Sequence, residues 1–378
     1  MRILFISHYD NLYGANRALL TLMLRLKAEG RHEPYLVIPA EGGISDILTR
    51  AGIECFICPV TQWQAIYHDP FSFALKKHKR KKSINEELTR IYEHFKDKKI
   101  DLIHSNSSVI GTGAMLAEKL HCRHVWHIRE FAKEHYGMRY FYPDDTVSRY
   151  YKAADKLILI SDALKEYYDR LYPGAKTVRI YDGIEPAEKP ENRADTEETV
   201  FIYTGYLFPK KRQLDALKAA ALLKEEGINR FKLILAGSGD KAYRQELERF
   251  IREHDLKEAE LKGFVEDVPG LLKKCDVGII ASEYEGFGLV TVEYMLNGMP
   301  VIGFRSGATP EIIKDGATGI LYDDVQGLKE AMKKLIADRD IRRHMGDEAY
   351  KRASERFSAE ENTRGVMNIY EETEGDMD

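Results

Sequence analysis

No apolar stretch in this sequence approaches the roughly 20 residues a membrane-spanning helix requires. Its start, M-R-I-L-F-I-S-H, is interrupted too early to act as a secretory leader and reads instead as a buried first strand. Cysteine is scarce: only Cys55, Cys58, Cys122 and Cys275 occur. Cys55 and Cys58 fall in E-C-F-I-C-P-V, a strand-like run in which residues three apart face opposite ways, which suits neither a metal site nor a redox turn. Small buried thiols in a reducing compartment are expected, and the cytoplasm is the expected location. An excess of one charge is also missing. Lysine and arginine number 57 against 61 aspartates and glutamates, a formal net charge of −4, so no global field demands a nucleic-acid partner. No Asp-x-Asp pair stands at a candidate site; Asp144-Asp145 and Asp323-Asp324 are adjacent pairs that read as loop or cap residues. No metal is therefore expected. Short repeats are absent too, which excludes a solenoid.

What is present is a chain of 378 residues, long for one core and sufficient for two. Short apolar, β-branched runs alternate with helical stretches. Strands are expected at Arg2–Ser7, Tyr35–Ile38, Ile53–Cys58, Asp101–His104, Arg123–Ile128, Lys156–Ile160 and Thr177–Ile180, with helices such as Ala15–Glu29 and Ser108–Leu120 between them. Many of these strands are apolar without alternation, as strands covered on both faces are. The pattern is that of a parallel, doubly wound sheet. The polar segment Glu185–Thr199, with two prolines and no apolar period, breaks it and reads as a linker. The alternation then restarts with strands at Val200–Thr204, Lys232–Ala236, Glu260–Lys262, Val277–Ala281, Val301–Phe304 and Gly319–Leu321. The expected organisation is a first domain over 1–185, a linker over 186–199, a second domain over 200–356, and over 357–378 a terminal helix that crosses back and runs into an acidic tail. Ligands of doubly wound sheets bind beyond the carboxyl ends of the strands, so a cleft between two such domains is the expected site.

The most informative segment is Ser282–Pro300, S-E-Y-E-G-F-G-L-V-T-V-E-Y-M-L-N-G-M-P, which follows the apolar strand V-G-I-I-A and opens a helix. Glu285 lies on the turn. Gly286 and Gly288 remove side chains where the backbone would approach a ligand. The amides of Phe287, Gly288, Leu289 and Val290 fall at the helix start, where unpaired donors and the helix dipole favour phosphate. Glu293, farther along, is placed to accept hydrogen bonds from ribose hydroxyls. With two carboxylates flanking an amide cradle, the segment matches a molecule whose hydroxyls flank a diphosphate. The stretch E-G-F-G-L-V-T-V-E also resembles the signature of family 4 glycosyltransferases, retaining enzymes of the GT-B fold. The resemblance implies that Glu285 contacts a donor sugar and Glu293 the ribose of its nucleotide.

A second segment, V-F-I-Y-T-G-Y-L-F-P-K-K-R-Q-L-D-A-L from Val200, reads as strand, Gly205, loop and helix. In the family's register, Lys211 matches the lysine that neutralises the donor phosphates, the task a metal performs elsewhere. Two departures stand out: Tyr206 occupies a position where arginine is usual, and Arg212 one where glycine is usual. Either one phosphate contact is lost or Lys210 or Arg212 supplies it; a bound anion explains bases at a helix start better than a solvated face does, because such bases are unfavourable there. In S-H-Y-D-N-L-Y-G-A-N-R, only Gly14 of the family's Gly-Gly loop survives, with Ala15 and Asn16 in place of the rest. Gly14 would allow close approach to the donor phosphate or the acceptor, and a plain turn glycine is the alternative. His127, in H-V-W-H-I-R-E-F with Arg129, matches a region that often carries a histidine near the reacting sugar; a histidine satisfied within the sheet is the equal alternative, and His104 is a weaker case of the same ambiguity. Gly237 and Gly239 in L-I-L-A-G-S-G-D resemble a loop facing the donor, Phe264 and Val265 in G-F-V-E-D-V-P the region that holds the base, and G-A-T-P-E from Gly307 a turn beside the donor sugar.

The resemblance implies an α/β GT-B protein, two Rossmann-like doubly wound domains facing across a cleft. It implies a retaining, metal-independent hexosyltransferase acting on a nucleotide diphosphate sugar, by default a UDP-sugar, as co-substrate with no bound cofactor. The acceptor is expected to be a glycan or a lipid-linked molecule in cell-surface polysaccharide or glycoconjugate synthesis. A GT-B nucleotide-sugar epimerase and a non-catalytic nucleotide-sugar-binding subunit are the alternatives. One feature lies outside this scheme. Lys76–Lys82, K-K-H-K-R-K-K, places six positive charges in seven residues directly after F-S-F-A-L. An amphipathic segment docking on the anionic inner face of a membrane is one reading and a solvated helix face the other.

Overall fold

The computed structural model describes residues 1–12, 14–67, 69–131, 137–185 and 197–375. The chain forms two compact units, one of Met1–Gly183 with Ala359–Asp378 and one of Ile184–Ser358. Most of the expected linker, 186–196, lies outside the described residues.

Among the described residues, nine strands belong to the first unit. They are β1 (Arg2–Ile6), β2 (Glu33–Ile38), β3 (Glu54–Ile57), β4 (Gln64–Ile66), β5 (Leu102–Asn106), β6 (Arg123–Ile128), β7 (Met138–Tyr140), β8 (Lys156–Leu159) and β9 (Thr177–Arg179). Seven form one parallel sheet in the order β3-β2-β1-β5-β6-β8-β9, and β4 pairs antiparallel with β7 apart from it. Every residue of β5 is buried, and so are five of the six in β2 and β6, which accounts for their unbroken apolar sequences. The sheet winds one way from β1 and the other way from β5, so the switch point lies between those two strands. Helix Thr112–Leu120 starts four residues later than the expected Ser108, because residues 107–111 form a turn held by Glu130. The final helix, Ala359–Gly375, places Val366, Met367, Ile369 and Tyr370 in this unit's core beside Ile3, Leu36 and Leu102. Its Tyr370 hydroxyl lies 2.7 Å from Nδ1 of His104 on β5.

The second unit contains β10 (Thr199–Thr204), β11 (Phe231–Ala236), β12 (Ala259–Gly263), β13 (Val277–Ile280), β14 (Val301–Phe304) and β15 (Gly319–Tyr322). They form a parallel sheet in the order β12-β11-β10-β13-β14-β15. Here the switch point lies between β10 and β13, and the loops leaving those strands diverge from it. Helix starts are fixed by aspartates: Asp240, Asp324 and Asp338 each accept a hydrogen bond from a first-turn amide. Asp324, set aside above as a cap residue, performs that role toward Gly327 at 2.7 Å.

Candidate active site

The β10 loop carries Lys210 and Lys211 in a short 3₁₀ turn, Pro209–Lys211, and helix Gln213–Glu225 follows. The β13 loop carries Glu283 and Glu285, and helix Leu289–Leu296 follows. Two ion pairs join the loops across the switch point: Lys210 Nζ to Glu283 at 2.9 Å and Lys211 Nζ to Glu285 at 3.0 Å. The second is the more enclosed, with side-chain exposures of 25% and 15% against 40% and 37%, so its charges are screened less by water. The Glu283 amide also donates to the Lys210 carbonyl at 3.0 Å. At the start of Leu289–Leu296, the amides of Gly288, Leu289 and Val290 find no acceptor among the described residues, as first-turn amides do. Phe287 contributes backbone only, since its ring turns inward onto Phe357 with centroids 5.6 Å apart. Lys211, Glu285 and the amide row therefore lie together at the carboxyl ends of β10 and β13. Glu293 lies half-buried on the same helix.

Loop packing explains several glycines. A Cβ on Gly307 would lie 2.4 Å from the carbonyl oxygen of Glu285, and the Ala308 amide donates to that same oxygen at 2.9 Å. The turn after β14 thus supports the residue that carries the carboxylate. Gly237 and Gly239 sit against the β10 loop, where added Cβ atoms would meet the Gly205 carbonyl at 1.9 Å and the Leu207 backbone at 2.3 Å. Close packing of two loops is sufficient reason for both.

Two buried tyrosines hold the loops in register. Tyr203 donates its hydroxyl to the Lys211 carbonyl and accepts from the Ala281 amide at 3.4 Å, so one side chain links the β10 turn to the end of β13. Tyr294, next to Glu293, reaches back to β10, where its hydroxyl accepts from the Thr204 amide at 2.6 Å. Gly278 makes room for that ring, since a Cβ there would lie 2.1 Å from it. No local pattern marks these tyrosines, because their partners lie 8 to 90 residues away.

Arg212, one of the two expected phosphate contacts, is engaged within its own loop in this structure. It adopts a left-handed backbone with φ 55°, the conformation that explains a glycine at this position in similar sequences. Its guanidinium is 2.6 Å from Asp215 and lies over the Phe304 ring, 3.9 Å from the centroid. Tyr206 and Phe264 are both largely solvent-exposed, just beyond the carboxyl ends of β10 and β12. Exposure to this extent excludes a core position for Phe264. Val265 beside it is half-buried.

Comparison with known proteins bears on this arrangement. Residues 185–352 match the model of "Glycosyl transferases group 1", and residues 13–188 that of "Glycosyltransferase Family 4". An uncharacterized glycosyltransferase of Methanocaldococcus jannaschii is 32% identical over 283 residues, covering 72% of this chain and 76% of that protein. The chain belongs to the family 4 glycosyltransferases. A D-inositol 3-phosphate glycosyltransferase of Corynebacterium kroppenstedtii is 32% identical over 58% of this chain and about half, 51%, of its own length. The fold is GT-B: an Anabaena protein, HepE, solved in complex with UDP-glucose, superposes with a TM-score of 0.78 at 21% identity, covering 99% of this chain and 100% of that one.

In this family 4 glycosyltransferase, the first unit carries a second polar cluster. Arg129 forms a buried ion pair with Asp182 and donates Nε–H to Asn106 at 3.0 Å. For His127 the sequence leaves two equal readings, a contact with the donor sugar and a histidine satisfied within the sheet. Its ring is fully enclosed, with Nδ1 3.3 Å from Arg129 and Nε2 3.9 Å from Asp182, so its role here is within the sheet. Burial, reinforced by the Arg129 cation, holds its pKa well below the ordinary histidine value. Gly14 has φ 48°, and open space surrounds the position a Cβ would take. Asn16 ties the neighbouring loop together by accepting from Ser7 at 2.8 Å and donating to the Tyr9 carbonyl at 2.7 Å. Asp182 could not be picked out beforehand, since it follows β9 at an unremarkable turn.

Of the four cysteines, Cys58 and Cys275 are buried, Cys55 and Cys122 half-buried, and all are unpaired by disulfides. Among the described residues no group of three or more histidine, cysteine or acidic side chains converges as a metal site. No helix among them is long and apolar enough to cross a membrane.

Proposed function

We propose that this glycosyltransferase transfers a hexosyl group from a nucleotide diphosphate sugar, by default a UDP-sugar, with retention at the anomeric carbon. The observation that carries the reading is the Lys211–Glu285 pair beside the amides of Gly288, Leu289 and Val290. In it the diphosphate rests on those amides and shares the Lys211 ammonium, which offsets the negative charge that builds on the leaving phosphate. A lysine in that position makes a divalent metal unnecessary. Glu285, relieved of its lysine by the diphosphate, accepts hydrogen bonds from the sugar hydroxyls, and Glu293 from the ribose. Phe264 and Val265 lie at the sheet edge where the base would rest. Lys210 supplies a second cation in place of an arginine at Tyr206. We assign donor binding to the second unit and a glycan or lipid-linked acceptor to the first, with the reaction in the cytoplasm.

The test is acceptor-dependent donor turnover in the presence of a chelator, with the product's anomeric configuration read by NMR. The reading requires turnover only with acceptor, an anomer matching the donor, and loss of about 10²–10³ in kcat for Glu285→Ala. Acceptor-independent conversion of the donor to its epimer would assign an isomerase, and binding without turnover a non-catalytic subunit.

A further inference from the structure

Helix Pro70–Phe95 is 26 residues long, and its fully buried apolar residues, Ile84, Leu88, Ile91 and Phe95, all fall in its second half. Its first turns project. Asp69 caps the start by accepting from the Ser72 amide at 2.9 Å, and Phe73 wedges between Tyr67 and Phe141, with ring centroids 5.4 Å and 5.1 Å away. Lys81 lies over the Tyr142 ring at 4.5 Å. These contacts fix which side of the helix faces the body. The opposite side carries Phe71, Leu75, His78 and Lys82, spaced by four, three and four residues and therefore in one row. Phe71 is 76% exposed and Leu75 62%, the two most exposed large apolar residues of that helix. Lys76, Lys77, Lys79 and Arg80 are exposed beside them, and no acidic residue occurs between Asp69 and Glu86.

We propose that this projecting half-helix is a docking element for an anionic lipid surface. Phe71 and Leu75 enter the headgroup–acyl boundary, and the exposed bases Lys76, Lys79 and Lys82 rest on lipid phosphates. Charge complementarity selects an anion, since this stretch concentrates six of the chain's positive charges while the whole chain is net negative. The two outward apolar side chains select a bilayer over a purely polar polyanion, because only an interface covers them while it neutralises the bases. A solvated helix face needs neither a row of bare apolar side chains nor the exclusion of acids. This inference stands on the helix alone and goes beyond the transfer reaction, to which it adds a location.

Co-sedimentation of the full chain with phosphatidylcholine vesicles and with vesicles containing about 30% phosphatidylglycerol tests it. Partitioning is expected only to the anionic vesicles and to weaken with salt. Phe71→Ser with Leu75→Ser is expected to lower it at least tenfold, and Lys76→Gln with Lys79→Gln and Lys82→Gln about a hundredfold, near fivefold per base. These exposed substitutions leave the fold intact, which circular dichroism checks. Equal partitioning of wild type to both vesicle types overturns the proposal. So does loss on removing the bases without loss on removing Phe71 and Leu75, which would assign a polyanion patch. Turnover of donor with a water-soluble acceptor, measured on the same variants, is expected to be unchanged. Failure of that turnover in wild type would count against the transfer reading and leave the vesicle result standing.

Discussion

Arg212 illustrates a backbone requirement met by side-chain contacts. A left-handed conformation costs a non-glycine residue roughly 1 kcal/mol, and here the Asp215 ion pair and the Phe304 ring offset it. Two substitutions separate these contributions. Arg212→Ala keeps the strain, loses the contacts and leaves the largely buried Asp215 carboxylate unpaired. Arg212→Gly loses the same contacts but removes the strain. Urea denaturation should therefore find the alanine variant less stable than the glycine variant by about 1 kcal/mol; equal stabilities would show that the backbone is not strained in solution. Lys211, Glu285 and the glycines were readable beforehand because strand, punctuating glycine, loop and helix start follow one another in a short span of sequence. Tyr203, Tyr294 and Asp182 were not, because each works through a partner that only the folded chain brings near. For His127 the sequence neighbourhood leaves a sugar contact and a place within the sheet equally open, and burial with the Arg129 cation beside it supports the second.

At the scale of elements, the sheet strands were legible because both faces of each parallel sheet are covered, leaving continuous apolar runs. The β4–β7 pair was missed: its strands are three residues each, separated by more than 70 residues, and one is only partly buried. The Pro70–Phe95 helix mixes two environments, which is why its basic half carried no apolar period. The tyrosine links between loops give a prediction at this scale. Tyr203→Phe keeps the ring in the core but releases the Lys211 carbonyl and the Ala281 amide. If Tyr203 positions the turn rather than only filling space, kcat should fall about tenfold, roughly 1.4 kcal/mol, with donor KM changed far less. An unchanged kcat with only a lowered Tm would reduce Tyr203 to a packing residue.

For the whole molecule, the two units differ in how pH should act on them. His104, His124 and His127 are buried in the first unit and held neutral by burial, His124 with its pKa pushed down to about 3. Unfolding restores the ordinary histidine affinity for protons, so the unfolded state binds protons that the folded state refuses. This contribution is fully present above about pH 6.5 and is lost as pH falls toward the folded values, by at most about 1.4 kcal/mol per pH unit for each histidine. Scanning calorimetry between pH 7 and pH 5 should show the first unit's transition moving down in temperature; a flat transition would mean these histidines titrate normally. The terminal helix belongs to the same balance, since Tyr370 joins His104 and fills that core.

The central claim is that Lys211 and the amides of helix Leu289–Leu296 hold a diphosphate. Calorimetric titration of the purified protein with UDP, beside its Lys211→Ala variant, tests it most directly. The account predicts UDP binding by wild type without added metal, and binding at least tenfold weaker, about 1.4 kcal/mol, in the variant. Wild-type affinity in the variant, or no UDP binding by wild type, would contradict it.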